Sequence, residues 1–167
     1  MTLQKSVKIE RIVFFTLTAL WMVAIFLFSA QNGSLSSKTS GGVIQWLLKL
    51  FYSDFDSLSI AEKEELIVSW QFFVRKAAHF SAYALLGVLS TLAFDTFKLK
   101  RIMYYVLPAV LSVCYAALDE FHQTFVPDRV GCVTDVLIDF AGAAVGISFV
   151  GLVLYLWRRQ KAKKSCK

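Results

Sequence analysis

The feature that most limits the fold is a series of long, uncharged apolar runs separated by charged segments. The first, Ile12 to Ala30, is long enough to cross a bilayer core of about 30 Å, because an α-helix rises about 1.5 Å per residue. A cleaved signal peptide would have a shorter apolar region and a small residue where Phe28 stands. The sequence therefore predicts a retained membrane helix.

Three further runs complete the predicted architecture, an all-α polytopic membrane protein built as a four-transmembrane-helix bundle. The chain is 57% hydrophobic, against about 45–50% in a typical soluble domain, which favours one membrane domain over residues 1–167. The connector Asp95 to Arg101 is short, so the helices on either side are predicted to be antiparallel neighbours. The predicted spans are 12–30, 74–94, 102–119 and 132–157.

The longest connection runs from Gln31 to about Gln71. Its first part is rich in Asn, Gly and Ser, which favour turns and are predicted to end the first span. Apolar residues at helical spacing from Val43 to Phe51 predict a short amphipathic helix on the membrane surface or, equally well, a lid packed on the core. Ser59 followed by Glu62 predicts a capping box that starts a second short helix through Trp70.

Lysine and arginine concentrate in the amino-terminal segment, the 95–101 connector and the carboxy-terminal tail. The positive-inside rule therefore predicts a multi-pass protein of the cytoplasmic membrane with both termini in the cytoplasm. The net charge of +6 lies in clusters beside apolar runs, so we expect membrane lipids as partners and no nucleic acid. Cys114, Cys132 and Cys166 lack the spacing of a disulfide framework or a zinc site and are predicted to be unpaired thiols.

The stretch Ala117 to Gly142 places acids, a histidine and an arginine between two apolar runs. A carboxylate at the centre of a membrane helix costs roughly 2.5–3.5 kcal/mol, so these groups need partners. Arg75 and Lys76 begin the second span at its positive helix end, and Asp119 and Glu120 finish the third at its negative end. Each charge is unfavourable beside a helix end of the same sign, and contact between the two ends would offset both interactions. We therefore expect Arg75 to contact Asp119 or Glu120.

Helical spacing groups the polar residues into faces. Arg75, His79 and Tyr83 are four apart, and so are Asp119 with Gln123 and Asp135 with Asp139. Gly142 and Gly146 continue the Asp135 face and predict a close approach of another helix.

The same segments resemble the successive motifs of the VanZ-like family. They are FSAQNGSLSS from Phe28, RKAAHFSAY from Arg75, DEFHQTFVPDR from Asp119 and DVLIDFAGAAVG from Asp135, and together they cover nearly all the chain. The resemblance implies a small bacterial membrane protein, in a family whose namesake is associated with teicoplanin resistance. It implies that the following positions matter: Gln31, Arg75, His79, Tyr83, Asp119, Glu120, Gln123, Arg129 and Asp135. Asp139 departs from the pattern, which leads one to expect Asn, and adds a possible negative charge.

Two functions remain open. We expect the polar groups to converge on one outward-facing site. This site could bind an anionic lipid headgroup or cell-wall precursor, because the guanidinium groups of Arg75 and Arg129 suit phosphate or carboxylate. By such binding the protein could contribute to glycopeptide tolerance, as the resemblance implies. The protein could instead be an intramembrane hydrolase or transferase for a lipid-linked substrate, with His79 and either Asp119 or Glu120 as an acid-base pair. His79 could equally tie two helices together.

A metal site is chemically allowed, because His79, His122, Asp119, Glu120 and Asp135 all carry groups that bind metals. No H-E-x-x-H or similar spacing supports it. We therefore predict no metal and no cofactor.

Overall fold

The computed structural model describes residues 2–97 and 99–165, and this part of the chain is helical without any strand. Its elements are α1 (Thr2–Ser29), α2 (Gly33–Phe51), a short 3-10 helix (Phe55–Ser57), α3 (Ile60–Asp95), α4 (Met103–Gln123) and α5 (Val133–Ser165). The all-α prediction is confirmed. Cys114 and Cys132 are free thiols, as predicted, and Cys166 lies outside the described residues.

Three segments are long and apolar enough to cross a membrane, and they lie in α1, α3 and α5: Ser6–Ser29, Ile60–Asp95 and Val133–Lys164. Large apolar side chains such as Leu20 and Phe149 are more than half exposed on these helices, as expected of a surface that meets lipid. Helix α4 is not among the three, because its apolar part ends at Leu118, before two acids. The span predicted at 102–119, and with it the four-span bundle, therefore stays a prediction.

The region between the first two predicted spans differs from expectation. Helix α2 already begins at Gly33, and the serines of its first turns are accommodated, since the Ser40 hydroxyl donates to the Ser36 carbonyl at 2.9 Å. The capping box of Ser59 and Glu62 is confirmed. It does not start a separate short helix through Trp70, however, because no Gly or Pro follows to end that helix.

Helix α3 therefore continues without a break for 36 residues, about 54 Å at a rise of about 1.5 Å per residue. This length exceeds a bilayer core of about 30 Å. We call its first part, residues 60–73, the α3 arm. Helix α2 packs against α3 and the short 3-10 helix.

Helix α3 is the centre of the bundle and packs against all four of the other α-helices. Its tightest neighbour is α5. A Cβ atom at Gly142 would overlap the Phe80 carbonyl oxygen, and one at Gly146 would overlap that of Ala84. The close approach predicted at these two glycines is confirmed. Contacts advance together along both helices, so α3 and α5 are parallel.

The two ends of the bundle differ in character. At one end, Arg158 of α5 donates to Asp95 at 2.5 Å, and Arg11 of α1 donates to the Thr96 carbonyl at 3.1 Å. Helix α4 returns from this end beside α3, as the short connector predicts, and the Tyr104 hydroxyl donates to the Phe97 carbonyl at 3.3 Å. The predicted site residues lie toward the other end.

Candidate functional site

Two basic side chains of α3 face two acids of α5. The Lys76 ammonium contacts Asp135 Oδ1, and His79 Nδ1 lies 3.4 Å from Asp139 Oδ1. Residues three or four apart lie on the same face of a helix. Because α3 and α5 are parallel and close, the two basic residues of α3, three apart, can meet the two acids of α5, four apart. The second and fourth sequence motifs therefore converge on one seam.

The predicted contact of Arg75 with Asp119 or Glu120 is not formed, since neither acid lies within ion-pair distance of Arg75. The cation that pairs in the first turn of the predicted span is Lys76 instead. The reason is geometric: the closest neighbour of α3 is α5, not its hairpin mate α4, so the α5 acids take the α3 cations. Arg75 and Asp119 nevertheless line the same cavity.

The end of α4 is held by its own amide and by the following loop. Gln123 Nε2 donates to Asp119 Oδ2 at 3.3 Å and to Glu120 Oε1 at 3.2 Å. The Cys132 backbone amide donates to Glu120 Oε2 at 2.8 Å, and an Arg129 guanidinium N–H donates to Gln123 Oε1 at 3.3 Å. These bonds hold Asp119 and Glu120 in place.

The loop after α4 reaches back to the end of α1. Arg129 Nε donates to the Gln31 backbone carbonyl at 3.2 Å, and the Gly33 amide donates to the Pro127 carbonyl at 3.2 Å. Asp128 turns the chain there with a positive φ of 60°. The first and third motifs are joined in this way, and Gln31 takes part through its main chain as well as by lining the cavity.

A cavity of about 520 Å³ lies among α1, α2 and α3. Polar and charged groups line part of its wall, among them Gln31, Arg75, His79, Asp119 and Arg129. Most of the remaining wall is apolar, and it includes Trp21, Ile25, Phe28, Val43, Val74 and Leu85. The cavity is therefore amphipathic.

Two guanidinium groups lie near one another at this cavity. Burial lowers the pKa of Arg129, and repulsion by the nearby Arg75 guanidinium lowers it further. Arg75 has no hydrogen bond or ion pair with any described side chain. An anion placed between the two arginines would relieve their repulsion.

Several buried polar atoms near the cavity have no hydrogen-bond partner among the described residues. They are the Ser29 and Tyr83 hydroxyl oxygens, Asp119 Oδ1 and both carboxylate oxygens of Asp139. Such groups are costly unless something binds them. Each of these atoms needs a partner, such as an ordered water or a bound ligand.

The structure brings together all nine residues that the sequence singled out, and adds three. Lys76 was named only as a possible partner for the acids, Asp139 had no role, and Ser29 was not considered. The spacing of Asp135 and Asp139 on one helix face was the available signal for Asp139. Ser29 has none, because a serine at the end of an apolar run is ordinary.

One group of side chains has metal-ligating character. One ligand atom each of His79, Glu120 and Asp139 lie within 4.8 Å of one another. Of the acids considered for a metal from the sequence, only Glu120 belongs to this group. The nearest carboxylate to His79 is that of Asp139, not of Asp119 or Glu120 as expected for the acid-base pair.

Comparison with known proteins gives one clear result. Neither a curated protein nor a solved structure matches the chain. The VanZ/LLP1 family model matches residues 14–158, which contain all four motifs and every residue of the cavity. The four motifs thus converge on one site in a chain that belongs to the VanZ/LLP1 family.

Proposed function

We propose that this VanZ/LLP1-family protein binds an amphipathic anionic ligand, a lipid headgroup or lipid-linked cell-wall precursor, in the cavity between α1, α2 and α3. Through this binding it contributes to tolerance of teicoplanin-type glycopeptides. The carrying observation is the cavity itself, which joins an apolar wall to a pair of arginines.

The apolar and charged parts of the cavity lining suit the two parts of a lipid, its chain and its headgroup. Acyl or isoprenyl carbons would lie against Trp21, Ile25 and Phe28, where burial of apolar surface stabilises by about 25 cal/mol per Å². A phosphate would lie between Arg75 and Arg129, since charge-assisted hydrogen bonds to a guanidinium fork are strong and directional.

The same proposal includes the membrane topology. A four-span arrangement puts the Asp95 end, where the basic connector and tail are found, in the cytoplasm by the positive-inside rule. The cavity then faces the outer side of the membrane, where glycopeptides act on cell-wall precursors. This orientation is supported by both Arg11 and Arg158 lying at the Asp95 end.

The test compares Arg75→Ala and Arg129→Ala with Arg101→Ala at the opposite end of the bundle. Binding to phosphatidylglycerol and phosphatidylcholine vesicles is measured, together with teicoplanin susceptibility of expressing cells. Each of the first two variants is expected to weaken phosphatidylglycerol binding at least about tenfold, because a hydrogen bond to a charged group is worth about 1.5–3 kcal/mol. Unchanged binding and susceptibility in well-expressed variants would remove the proposal.

A second function is favoured by one observation, the His79 and Asp139 pair at 3.4 Å beside the cavity. A carboxylate next to an imidazole orients it and supports acid-base catalysis, here of hydrolysis or transfer on a lipid-linked substrate. Mass spectrometry of envelope lipids from wild-type and His79→Ala cells decides this function. Identical profiles in every lipid class would exclude it.

A further inference from the structure

We propose that His79, Glu120 and Asp139 form a binding site for a divalent transition-metal ion, for which Zn²⁺ is the probe. The three residues come from three helices, α3, α4 and α5, that meet at the polar end of the bundle. This site goes beyond lipid binding and stands or fails separately from it.

The geometry is close to that of a three-ligand site. One ligand atom from each residue lies within 4.8 Å of the other two. Zinc bonds of about 2.0–2.2 Å bring tetrahedral ligand atoms to about 3.5 Å apart, so the side chains would close by about 1 Å. Changes of side-chain rotamer supply a movement of this size without moving the helices.

Asp139 gives an independent reason for an ion. Its side chain is fully buried, and neither carboxylate oxygen has a hydrogen-bond partner among the described residues. The nearby imidazole is 3.4 Å away and is the one basic group that contacts it. A buried carboxylate whose one basic contact among the described residues is a long one to an imidazole is costly, and a cation bound at its oxygens would lower that cost.

The neighbouring groups leave this position open to a cation. Lys76, the nearest ammonium group on α3, is paired with Asp135 and therefore is not the counterion of Asp139. Glu120 is oriented by the Cys132 amide at 2.8 Å and by Gln123 at 3.2 Å. Outer hydrogen bonds of this kind orient metal ligands in known sites.

The donor set selects the class of ion. One imidazole nitrogen with two carboxylates gives a neutral site around a doubly charged ion when the histidine is neutral. Imidazole favours zinc and its transition-metal neighbours, whereas Mg²⁺ and Ca²⁺ prefer oxygen ligands alone. His79 also lines the cavity, so an ion held there would be accessible to a ligand in the cavity.

The experiment uses full-length protein in detergent, stripped with EDTA, in a background with Cys114, Cys132 and Cys166 replaced by Ser to prevent thiol binding of zinc. Zinc content after desalting and zinc affinity by competition with a chelating dye are measured. We expect one ion per chain. Asp139→Asn and Glu120→Gln should each weaken binding at least about tenfold, and Mn²⁺ should compete better than Mg²⁺ or Ca²⁺.

Three variants make the result specific. His122→Gln removes the chain's other histidine, and Asp95→Asn removes a carboxylate at the opposite end; both should bind zinc as the wild type does. Arg75→Ala should weaken lipid binding and leave zinc binding unchanged, which separates this proposal from the previous one. Absence of zinc binding, or binding that Asp139→Asn leaves unchanged, would overturn the metal site. Because asparagine is nearly isosteric with aspartate, we expect Asp139→Asn to fold, so that its zinc binding can be measured.

Discussion

The seam between α3 and α5 gives the sharpest prediction about stability. At Gly146 an added Cβ would overlap the Ala84 carbonyl oxygen and lie 3.0 Å from its carbonyl carbon and 3.1 Å from the Val88 nitrogen. All of these are backbone atoms, so a side-chain rotation cannot relieve the contact. The variant Gly146→Ala must therefore push the two helices apart.

The matched control is Gly42→Ala in α2, where an added Cβ meets nothing within 4 Å. Both substitutions gain about 1 kcal/mol of helix propensity, so the difference between the variants isolates the steric cost. Overpacking of this kind costs about 1–3 kcal/mol. For a chain this long, a change of about 1 kcal/mol in the free energy of unfolding shifts the midpoint temperature by about 2–4 °C. The midpoints of the two variants should therefore differ by about 2–12 °C.

The assay is thermal unfolding of the purified variants in the same detergent. Gly42→Ala should unfold above the wild-type temperature, and Gly146→Ala should unfold below Gly42→Ala and no higher than the wild type, because its steric cost offsets the gain in helix propensity. Separation of the helices should also weaken the contact of His79 with Asp139. The reasoning would be refuted if Gly146→Ala and Gly42→Ala unfolded at the same temperature, since the seam would then have room for a side chain.

Three further predictions concern other parts of the chain. Hydrogen bonds from the Thr134 hydroxyl and backbone amide lower the pKa of the exposed Cys132 thiol, so labelling by a membrane-impermeant maleimide should reach half its maximal rate at a lower pH than for a free cysteine. Thr134→Val should raise the pH at which this half-maximal rate is reached. Ser59→Ala removes the cap of α3 and should cost about 1 kcal/mol, seen as loss of helicity at lower temperature by circular dichroism, with Ser57→Ala as control. Arg158→Ala breaks a half-exposed ion pair with Asp95 and should change stability by less than about 1 kcal/mol, so a larger loss of midpoint temperature would show that the pair is shielded from solvent.

The parts of this structure that followed from the sequence are those with a strong local signal. The capping box at Ser59 depends on two residues three apart, and the close approach at Gly142 and Gly146 depends on small residues along one helix face. The convergence of the four motifs also followed from the sequence, because polar groups within apolar membrane helices face the interior of the bundle and pair with one another.

The errors came from interactions between distant segments. Nothing local distinguishes Arg75 from Lys76 as the partner of an acid, and the choice depends on which helix packs closest to α3. The serines and glycines after Gly33 favour turns by propensity, yet packing of α2 on α3 keeps them helical. Asp139 was given no role because its only signal was spacing, whereas its complete burial and its contact with His79 are visible only in three dimensions.

The unbroken course of α3 has a mechanical consequence. The α3 arm, Arg75 and His79 lie on one continuous helix. A tilt of the arm therefore also moves the residues that α3 contributes to the cavity and to the seam with α5. A helix end near Trp70, as the sequence predicted, would have separated the movements of α2 and the α3 arm from those of the polar groups. In the continuous helix, a partner that bound α2 and the α3 arm would also move Arg75 and His79, the residues proposed here to bind lipid and ion.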